Sequence, residues 1–163
     1  MKKRLYIAYG SNLNTNQMGW RCPDSRPVAK SWLHDYRLVF QGNPYGAHAN
    51  VIPEKGQEVP VVIWEITPRD EIALDRYEGV AGGYYTKEYY KVEVNGRMEE
   101  ALIYIMTPHG YGIPADGYLE TIAEGYDNYN LGISYLNEAI EHAYKNTRKL
   151  HYGLRGAAAQ ATL

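Results

Sequence analysis

The sequence predicts an α+β domain in which helices and strands are mixed without strict alternation. Three observations predict this class. Several short segments alternate apolar and polar residues or are rich in β-branched and aromatic residues, which is typical of strands. An Asn-Gly pair at positions 95–96 lies between two of them and is typical of the tight turn of an antiparallel hairpin. Near the C-terminus, apolar residues recur at helical spacing, at Ile133, Leu136, Ile140 and Ala143.

Six strands are predicted by these patterns. They lie near residues 3–9, 27–40 with a break, 48–52, 58–66, 84–94 and 98–106. The last two flank the Asn-Gly pair, so they are expected to pair with each other in an antiparallel hairpin.

Four helices are predicted, near residues 14–20, 68–78, 115–128 and 133–147. The second has the clearest boundaries. Thr67 is a suitable N-cap, Pro68 fits the first helical position and Asp70 can complete a capping pair. Gly79 then ends the helix, which places Glu78 on its last turn.

Length and composition fit one domain. The chain has 163 residues, of which 45% are hydrophobic, enough for a single globular core. We assign that domain to residues 1–150. Residues 151–163 are rich in small side chains without an apolar period, and we expect them to form a mobile C-terminal tail.

Charge and hydropathy argue against several classes of partner. The net charge is −2 and no long basic run is present, so a nucleic-acid partner is not expected. No apolar stretch approaches the roughly 20 residues needed to cross a bilayer, and no signal peptide is recognisable, so a cytoplasmic protein is expected. Cys22 is a single cysteine, and a role as nucleophile stays open. The spacing of the five histidines does not indicate a metal site.

The segment 9–13, Tyr-Gly-Ser-Asn-Leu, directly follows the first predicted strand. A strand that ends in Gly, Ser and Asn and then enters a helix presents free backbone N–H groups, which suit a carboxylate or an oxyanion. The same residues also serve an ordinary strand-to-helix turn, because Gly permits positive φ and Ser or Asn caps a helix. The spacing alone leaves both interpretations open.

Glu78 is the candidate proton-transfer group. Carbonyl dipoles at a helix C-terminus disfavour a negative charge, and partial burial among the neighbouring aromatic residues acts in the same direction, so the pKa of this carboxyl is expected to be raised. A carboxyl of that kind exchanges protons near neutrality. A solvated glutamate at an ordinary helix end is the alternative.

Together, segment 9–13 and segment 78–85, Glu-Gly-Val-Ala-Gly-Gly-Tyr-Tyr, resemble the gamma-glutamylcyclotransferase-like family. The resemblance covers roughly residues 4 to 140. It implies a small, partly closed β-barrel flanked by helices. It also implies an enzyme in which the α-amine of a γ-glutamyl group attacks its own side-chain carbonyl, releasing 5-oxoproline and a free amine, with no cofactor and no metal.

The resemblance also implies roles for individual residues. Glu78 is the proton shuttle. The glutamyl group is expected to be held by Tyr9, Gly10, Ser11, Asn12 and Leu13, largely through main-chain N–H groups. Tyr85 and Tyr118 match tyrosines that line the pocket in the family.

The chain departs from the family pattern at Val61, where a glycine is usual. If that strand borders the pocket, the Val61 side chain narrows it, and Tyr84 is a second residue able to occlude it. Two hypotheses therefore follow: a γ-glutamyl cyclotransferase, or a non-catalytic binding or regulatory module for a small carboxylated or γ-glutamyl ligand.

Overall fold

The computed structural model describes the backbone of residues 2–160 and the side chains of residues 2–147. Within these residues the strands are β1 (Arg4–Ala8), β2 (Arg26–Asn43), β3 (Gly46–Ile66), β4 (Tyr85–Val94) and β5 (Arg97–Met106). The helices are α1 (Thr15–Arg21), α2 (Pro68–Tyr77), α3 (Asp116–Asn128) and α4 (Ile133–Gln160), and one 3₁₀ turn spans Ser11–Leu13. None of the helices between residues 2 and 160 combines the length and apolar composition that a membrane crossing requires.

The strands form one sheet in the order β2-β3-β1-β5-β4, in which β1 and β5 are parallel and the other neighbours antiparallel. The sheet curls until its outer strands approach each other. Ser31 of β2 donates a hydrogen bond of 2.6 Å to the carbonyl oxygen of Glu93 of β4, and the rings of Tyr36 and Tyr90 lie 5.2 Å apart. The sheet is curled but not closed, which fits the predicted partly closed barrel, and the α+β class is confirmed.

The prediction of separate strands at 48–52 and 58–66 is wrong, because both segments belong to β3. Residues 54–57 bulge out of the pairing with β2, opposite Asp35. The Asp35 carboxylate accepts a hydrogen bond of 2.9 Å from the N–H of Gly56, which has φ +85°. Glycine adopts this conformation without strain, so β3 continues beyond the bulge.

Helix α2 confirms the predicted capping pattern. The Thr67 hydroxyl accepts a hydrogen bond from the N–H of Asp70, and the Asp70 carboxylate accepts one from the N–H of Thr67. Gly79 has φ +63° and turns the chain away after Glu78. Because each determinant is local, the sequence was sufficient to place this helix.

Helix α4 begins at the predicted position, but its predicted end at residue 147 is wrong, because the helix continues to Gln160. Most of the segment predicted as a tail therefore has a helical backbone. Its alanines at 157–159 are strong helix formers. Residues 161–163 lie outside the described residues, and the mobility of the tail stays a prediction.

Helix α3 packs directly on the turn that follows β1. At Gly125 of α3, a Cβ would lie 2.7 Å from Cβ of Leu13 and 2.8 Å from the N atom of Asn14, so only glycine permits this approach. Asn14 also donates a hydrogen bond of 3.1 Å to the carbonyl oxygen of Thr121. Helix α3 therefore packs against the loop that carries segment 9–13 and fixes its position.

Candidate functional site

A cavity of about 160 Å³ opens where the loop after β1, helix α1, the C-terminus of α2 and the start of α3 meet the sheet. Among the described residues that line it are seven tyrosines, but only one carboxyl, Glu78, and one guanidinium, Arg21. This volume holds on the order of ten water molecules, or the heavy atoms of a small ligand. The cavity is therefore polar, aromatic and of a size suited to a metabolite.

Glu78 lies at the C-cap of α2 and faces the cavity. Burial raises the pKa of its carboxyl to about 7, while Arg21 and a hydrogen bond from Asn12 lower it in part. The raised pKa agrees with the direction expected from the sequence. At neutral pH the carboxyl is divided between its two protonation states and is able both to accept and to donate a proton.

The side chain of Asn12 connects Glu78 to helix α1. Its Nδ2 donates hydrogen bonds to the Tyr6 hydroxyl at 2.9 Å and to Oε1 of Glu78 at 3.2 Å. Its Oδ1 accepts from Nε2 of Gln17 at 3.1 Å and from Nη1 of Arg21 at 3.0 Å. Because arginine carries only donors, the oxygen of Asn12 must face Arg21 and its NH₂ must face Glu78. All four hydrogen bonds of this side chain are made within the protein.

The main chain of the loop supplies donors. The amides of Leu13 and Asn14 donate to the carbonyl oxygens of Gly10 and Ser11, each at 3.0 Å. Within residues 2–160, the amides of Ser11 and Asn12 have no backbone partner, and both residues line the cavity. At Gly10 a Cβ would lie 3.0 Å from Cβ of Ala49, so a side chain there would crowd the opposite wall.

Leu13 is not brought to the cavity. Its side chain is fully buried in the core, against Gly125 of α3, and it is not among the described residues that line the cavity. This side chain therefore fixes the loop to α3, and a part for Leu13 in holding a ligand through its main chain stays a prediction.

The predicted tyrosines differ in how their hydroxyls are used. Tyr85 donates to the carbonyl oxygen of Ala49 at 2.6 Å, and Tyr9 donates to that of Tyr104 at 2.5 Å. The Tyr118 hydroxyl instead accepts from the N–H of Ala49 at 2.9 Å. Burial raises the pKa of Tyr9, Tyr85 and Tyr118, so these hydroxyls stay protonated. Tyr9 and Tyr85 thus form part of the cavity wall with their hydroxyl protons bonded within the protein. The hydroxyl proton of Tyr118 is not used in its bond to Ala49 and is available to an acceptor.

His48 and Tyr84 form a pair in the cavity wall that sequence reasoning did not assign. Nδ1 of His48 lies 2.9 Å from the Tyr84 hydroxyl, and the His48 ring packs edge-on against Tyr118 with centroids 5.0 Å apart. Burial lowers the pKa of His48, which favours the neutral imidazole. Val61, in contrast, is fully buried in the core and is not among the described lining residues, so it does not narrow the cavity.

Sequence reasoning also missed Tyr6, Gln17 and Arg21. Gln17 and Arg21 lie four positions apart on α1, and this spacing places both on one face of the helix. That signal was readable in the sequence. Tyr6 gave no such signal, because its partner Asn12 belongs to a different element.

Cys22 lies away from this chemistry. Its thiol is buried 3.6 Å from the carbonyl oxygen of Asp70, and burial raises its pKa to about 12, so a nucleophilic thiolate is not favoured. The His, Cys, Asp and Glu side chains of the described residues do not form a group of three or more that would hold a metal ion.

The structure is thus an α+β protein whose curled sheet bears a cavity lined by the loop after β1 and by Glu78, a carboxyl of near-neutral pKa. Residues 6–127 match the family model described as gamma-glutamyl cyclotransferase, AIG2-like. The chain therefore belongs to this family, as the resemblance of its motifs predicted.

Named relatives agree with this assignment. Gamma-glutamylcyclotransferase of Homo sapiens is 31% identical over 139 residues, covering 80% of this chain and 74% of the human protein. The protein of the same name from Mus musculus is 32% identical over 129 residues, covering 74% of this chain and 69% of its own length. A solved structure titled gamma-glutamyl cyclotransferase superposes with a TM-score of 0.77 at 27% identity, covering 85% of this chain and 86% of the other. The family is an enzyme family.

Proposed function

We propose that this protein catalyses γ-glutamyl cyclotransfer, in which the α-amine of a γ-glutamyl group attacks its side-chain carbonyl and 5-oxoproline and a free amine are released. The observation that carries the proposal is the position of Glu78. Its carboxyl, with a pKa of about 7, faces the same cavity as the free amides of Ser11 and Asn12.

Glu78 acts twice in the proposed reaction. Ionised Glu78 takes a proton from the substrate ammonium, and the amine nitrogen then forms a bond to the γ-carbonyl carbon. As the C–N bond to the leaving amine breaks, protonated Glu78 returns that proton to the leaving nitrogen. The carboxylate then removes the second proton from the positively charged ring nitrogen and passes it to the released amine, which leaves as an ammonium. A pKa near the working pH serves both steps, because neither protonation state is then costly to reach.

The loop amides of Ser11 and Asn12 bind the α-carboxylate of the glutamyl group. Backbone N–H groups that lack an internal partner are strong donors to an anion in a partly desolvated cavity. Arg21 is the only guanidinium among the described lining residues, and its hydrogen bond to Asn12 brings positive charge to the same loop. The carboxylate is thus held beside the carboxyl that moves the proton.

Intramolecular attack explains why so few groups suffice. Nucleophile and electrophile belong to one molecule, and effective molarities of about 10⁵ M or more correspond to on the order of 7 kcal/mol of the barrier. The protein then has to orient the substrate, move protons from the attacking to the leaving nitrogen and stabilise the oxyanion.

The test is to incubate the protein with a panel of γ-glutamyl amino acids and γ-glutamylamines and to quantify 5-oxoproline by mass spectrometry. Glu78→Gln is expected to lower kcat by about 10²-fold to 10⁴-fold while ligand binding changes only a few fold. Glu99→Gln, which alters an exposed carboxyl on β5, is the matched control and should retain activity. Undiminished turnover in Glu78→Gln would remove Glu78 from the mechanism.

The alternative of a non-catalytic binding module depended on an occluded pocket. Val61 lies in the core rather than at the cavity, and Tyr84 forms part of the wall while the cavity keeps about 160 Å³. These positions favour turnover over binding alone. A folded protein that binds members of the panel without releasing 5-oxoproline would instead support the binding module.

A further inference from the structure

The tyrosines around the cavity can be sorted by the destination of their hydroxyl protons. Tyr9 and Tyr85 donate to main-chain oxygens, and Tyr104 donates to Oδ1 of Asp75 at 2.7 Å. Tyr6 belongs to a different class, because its hydroxyl accepts a hydrogen bond. Donors whose protons are already bound inside the protein contribute shape, whereas a free proton is available to a ligand.

The hydrogen bond between Asn12 and Tyr6 has a defined direction. Nη1 of Arg21 is a donor only and lies 3.0 Å from one end of the Asn12 amide, which must therefore be the oxygen. The opposite end is the NH₂ group, 2.9 Å from the Tyr6 oxygen. Asn12 consequently donates and Tyr6 accepts.

The proton of the Tyr6 hydroxyl has no acceptor among the side chains and main-chain groups of the described residues. Tyr6 lines the cavity although it is only 4% exposed, and its ring packs edge-on against Tyr104 with centroids 5.7 Å apart. Buried donors are seldom left without a partner. A fixed ring and an unassigned proton at a cavity wall indicate a donor that awaits a ligand oxygen.

Tyr6 and Glu78 lie on either side of the same Asn12 NH₂, which bonds to both within 3.2 Å. Tyr118 also has an unassigned proton, but its hydroxyl is held by the N–H of Ala49, opposite Gly10. Of these two hydroxyls, Tyr6 shares a hydrogen-bond donor with the proton-transfer group. An oxygen bound to the carbon under attack would also lie close to Glu78, since that carbon must approach the nitrogen that Glu78 deprotonates and then bond to it.

We propose that the Tyr6 hydroxyl donates a hydrogen bond to the γ-carbonyl oxygen of the substrate and stabilises the oxyanion that forms there, which makes Tyr6 a catalytic residue. This assignment depends on the proposed cyclotransfer. Attack of the amine on the carbonyl carbon moves the π electrons onto that oxygen, and collapse of the intermediate returns them as the C–N bond to the leaving amine breaks. Tyr6 keeps its proton throughout, and Glu78 carries the two protons that the ammonium nitrogen loses to the leaving amine.

The environment of Tyr6 suits this role. Burial raises its pKa well above that of a free tyrosine, and the nearby Glu78 raises it further, so the hydroxyl stays neutral across the working pH range. The hydrogen bond from Asn12 and the contact with Tyr104 hold it in place before the substrate arrives. A donor oriented in advance in a partly desolvated site acts more strongly on a developing charge than solvent does.

The test compares Tyr6→Phe with Tyr126→Phe, using the best substrate of the panel between pH 5 and 9. Tyr126 is a buried tyrosine of α3 that is not among the described residues lining the cavity, so its variant controls for loss of a buried hydroxyl. Tyr6→Phe is expected to lower kcat by about 10²-fold to 10³-fold, with KM within about threefold of wild type and an unchanged apparent pKa in the kcat profile. Tyr126→Phe is expected to retain wild-type kcat.

Three outcomes would overturn the assignment. A kcat of Tyr6→Phe within about threefold of wild type removes the donor role. A fall in kcat together with a shifted apparent pKa shows that Tyr6 acts through Asn12 and Glu78 as a positioning residue. Absence of 5-oxoproline from the wild type overturns the proposed function, and this assignment with it.

A structure of the wild-type protein with bound 5-oxoproline tests the same contact without a variant, should Tyr6→Phe fail to fold. The ring carbonyl oxygen of this product is the former γ-carbonyl oxygen. It is expected within about 3.2 Å of the Tyr6 hydroxyl. A bound product whose ring oxygen faces other donors would contradict the assignment.

Discussion

Nδ2 of Asn12 lies 3.2 Å from Oε1 of Glu78, which joins the first loop of the chain to the end of α2. The hydrogen bond favours the ionised carboxylate, as does the charge of Arg21, while burial favours the protonated acid. The balance of these effects places the pKa of Glu78 at about 7. The loop after β1 therefore lowers the pKa of this carboxyl through Asn12.

Asn12→Asp is expected to shift the pH dependence of activity. In the wild type, kcat should rise through a pKa of about 7, because ionised Glu78 is the base. A carboxylate at position 12 places a like charge beside Glu78 and should raise that apparent pKa by about one unit or more. The measurement is kcat from pH 5 to 9, with Asn137→Asp, at an exposed position of α4, as control. A midpoint at or below that of the wild type would contradict the tuning role.

Glu78→Gln is expected to stabilise the fold at alkaline pH. The folded-state pKa of about 7 lies above the ordinary value of 4.5, so between these values the folded state binds more protons than the unfolded state. Stability should therefore fall as pH rises through this window and then level off. Removing the carboxyl should raise the free energy of unfolding at pH 8 by about 3 kcal/mol, with little change at pH 4. Urea unfolding at both pH values measures the difference, and a difference independent of pH would count against it.

Gly125→Ala is expected to impair the site from outside the cavity. A Cβ at Gly125 would lie 2.7 Å from Cβ of Leu13, so the loop or α3 must move. We expect a loss of about 2 kcal/mol in the free energy of unfolding and a fall in kcat of about tenfold or more through misplaced loop donors. The matched control is Gly117→Ala on the same helix, where a Cβ meets no described atom within 4 Å. Equal behaviour of the two variants would show that the α3 contact does not position the loop.

Tyr84→Ala is expected to widen substrate choice. Tyr84 lines the cavity and bonds to His48 at its wall, so truncation removes a large side chain from the space beside the site. The ratio of kcat/KM for bulky against small leaving amines should rise by about tenfold. Tyr144→Ala, at an exposed position of α4, is the control. If the ratio is unchanged, Tyr84 does not contact the leaving group.

Elements whose determinants are local were predictable. The Asn95-Gly96 turn has φ +50° and +84° and joins β4 to β5, as the dipeptide indicated. The ends of α2 follow from Thr67, Pro68 and Gly79 alone. Each of these signals depends on a few adjacent residues, so no tertiary contact was needed to interpret it.

Predictions that depended on distant partners were less secure. The break expected before residue 58 is a bulge in β3, where the N–H of Gly56 donates a hydrogen bond to Asp35 of β2. Strand β3 continues through the bulge because it pairs with β2 both before and after it. Leu13 belongs to the motif but packs on α3, a contact between residues far apart in the chain. Neither partner is visible in a local pattern.

The sequence by itself determined the α+β class, the family, the loop at 9–13 and the position of Glu78 at a helix end, because motif order and helix signals are written in adjacent residues. Only the tertiary structure decided that Asn12 joins Glu78 to Arg21, and that the hydroxyl proton of Tyr6 is free while that of Tyr85 is not. The pKa of Glu78 was also decided by the tertiary structure, because the carboxyl is desolvated only when distant elements enclose it. Hydrogen-bond direction and burial are properties of groups brought together in space, and a linear pattern does not contain them.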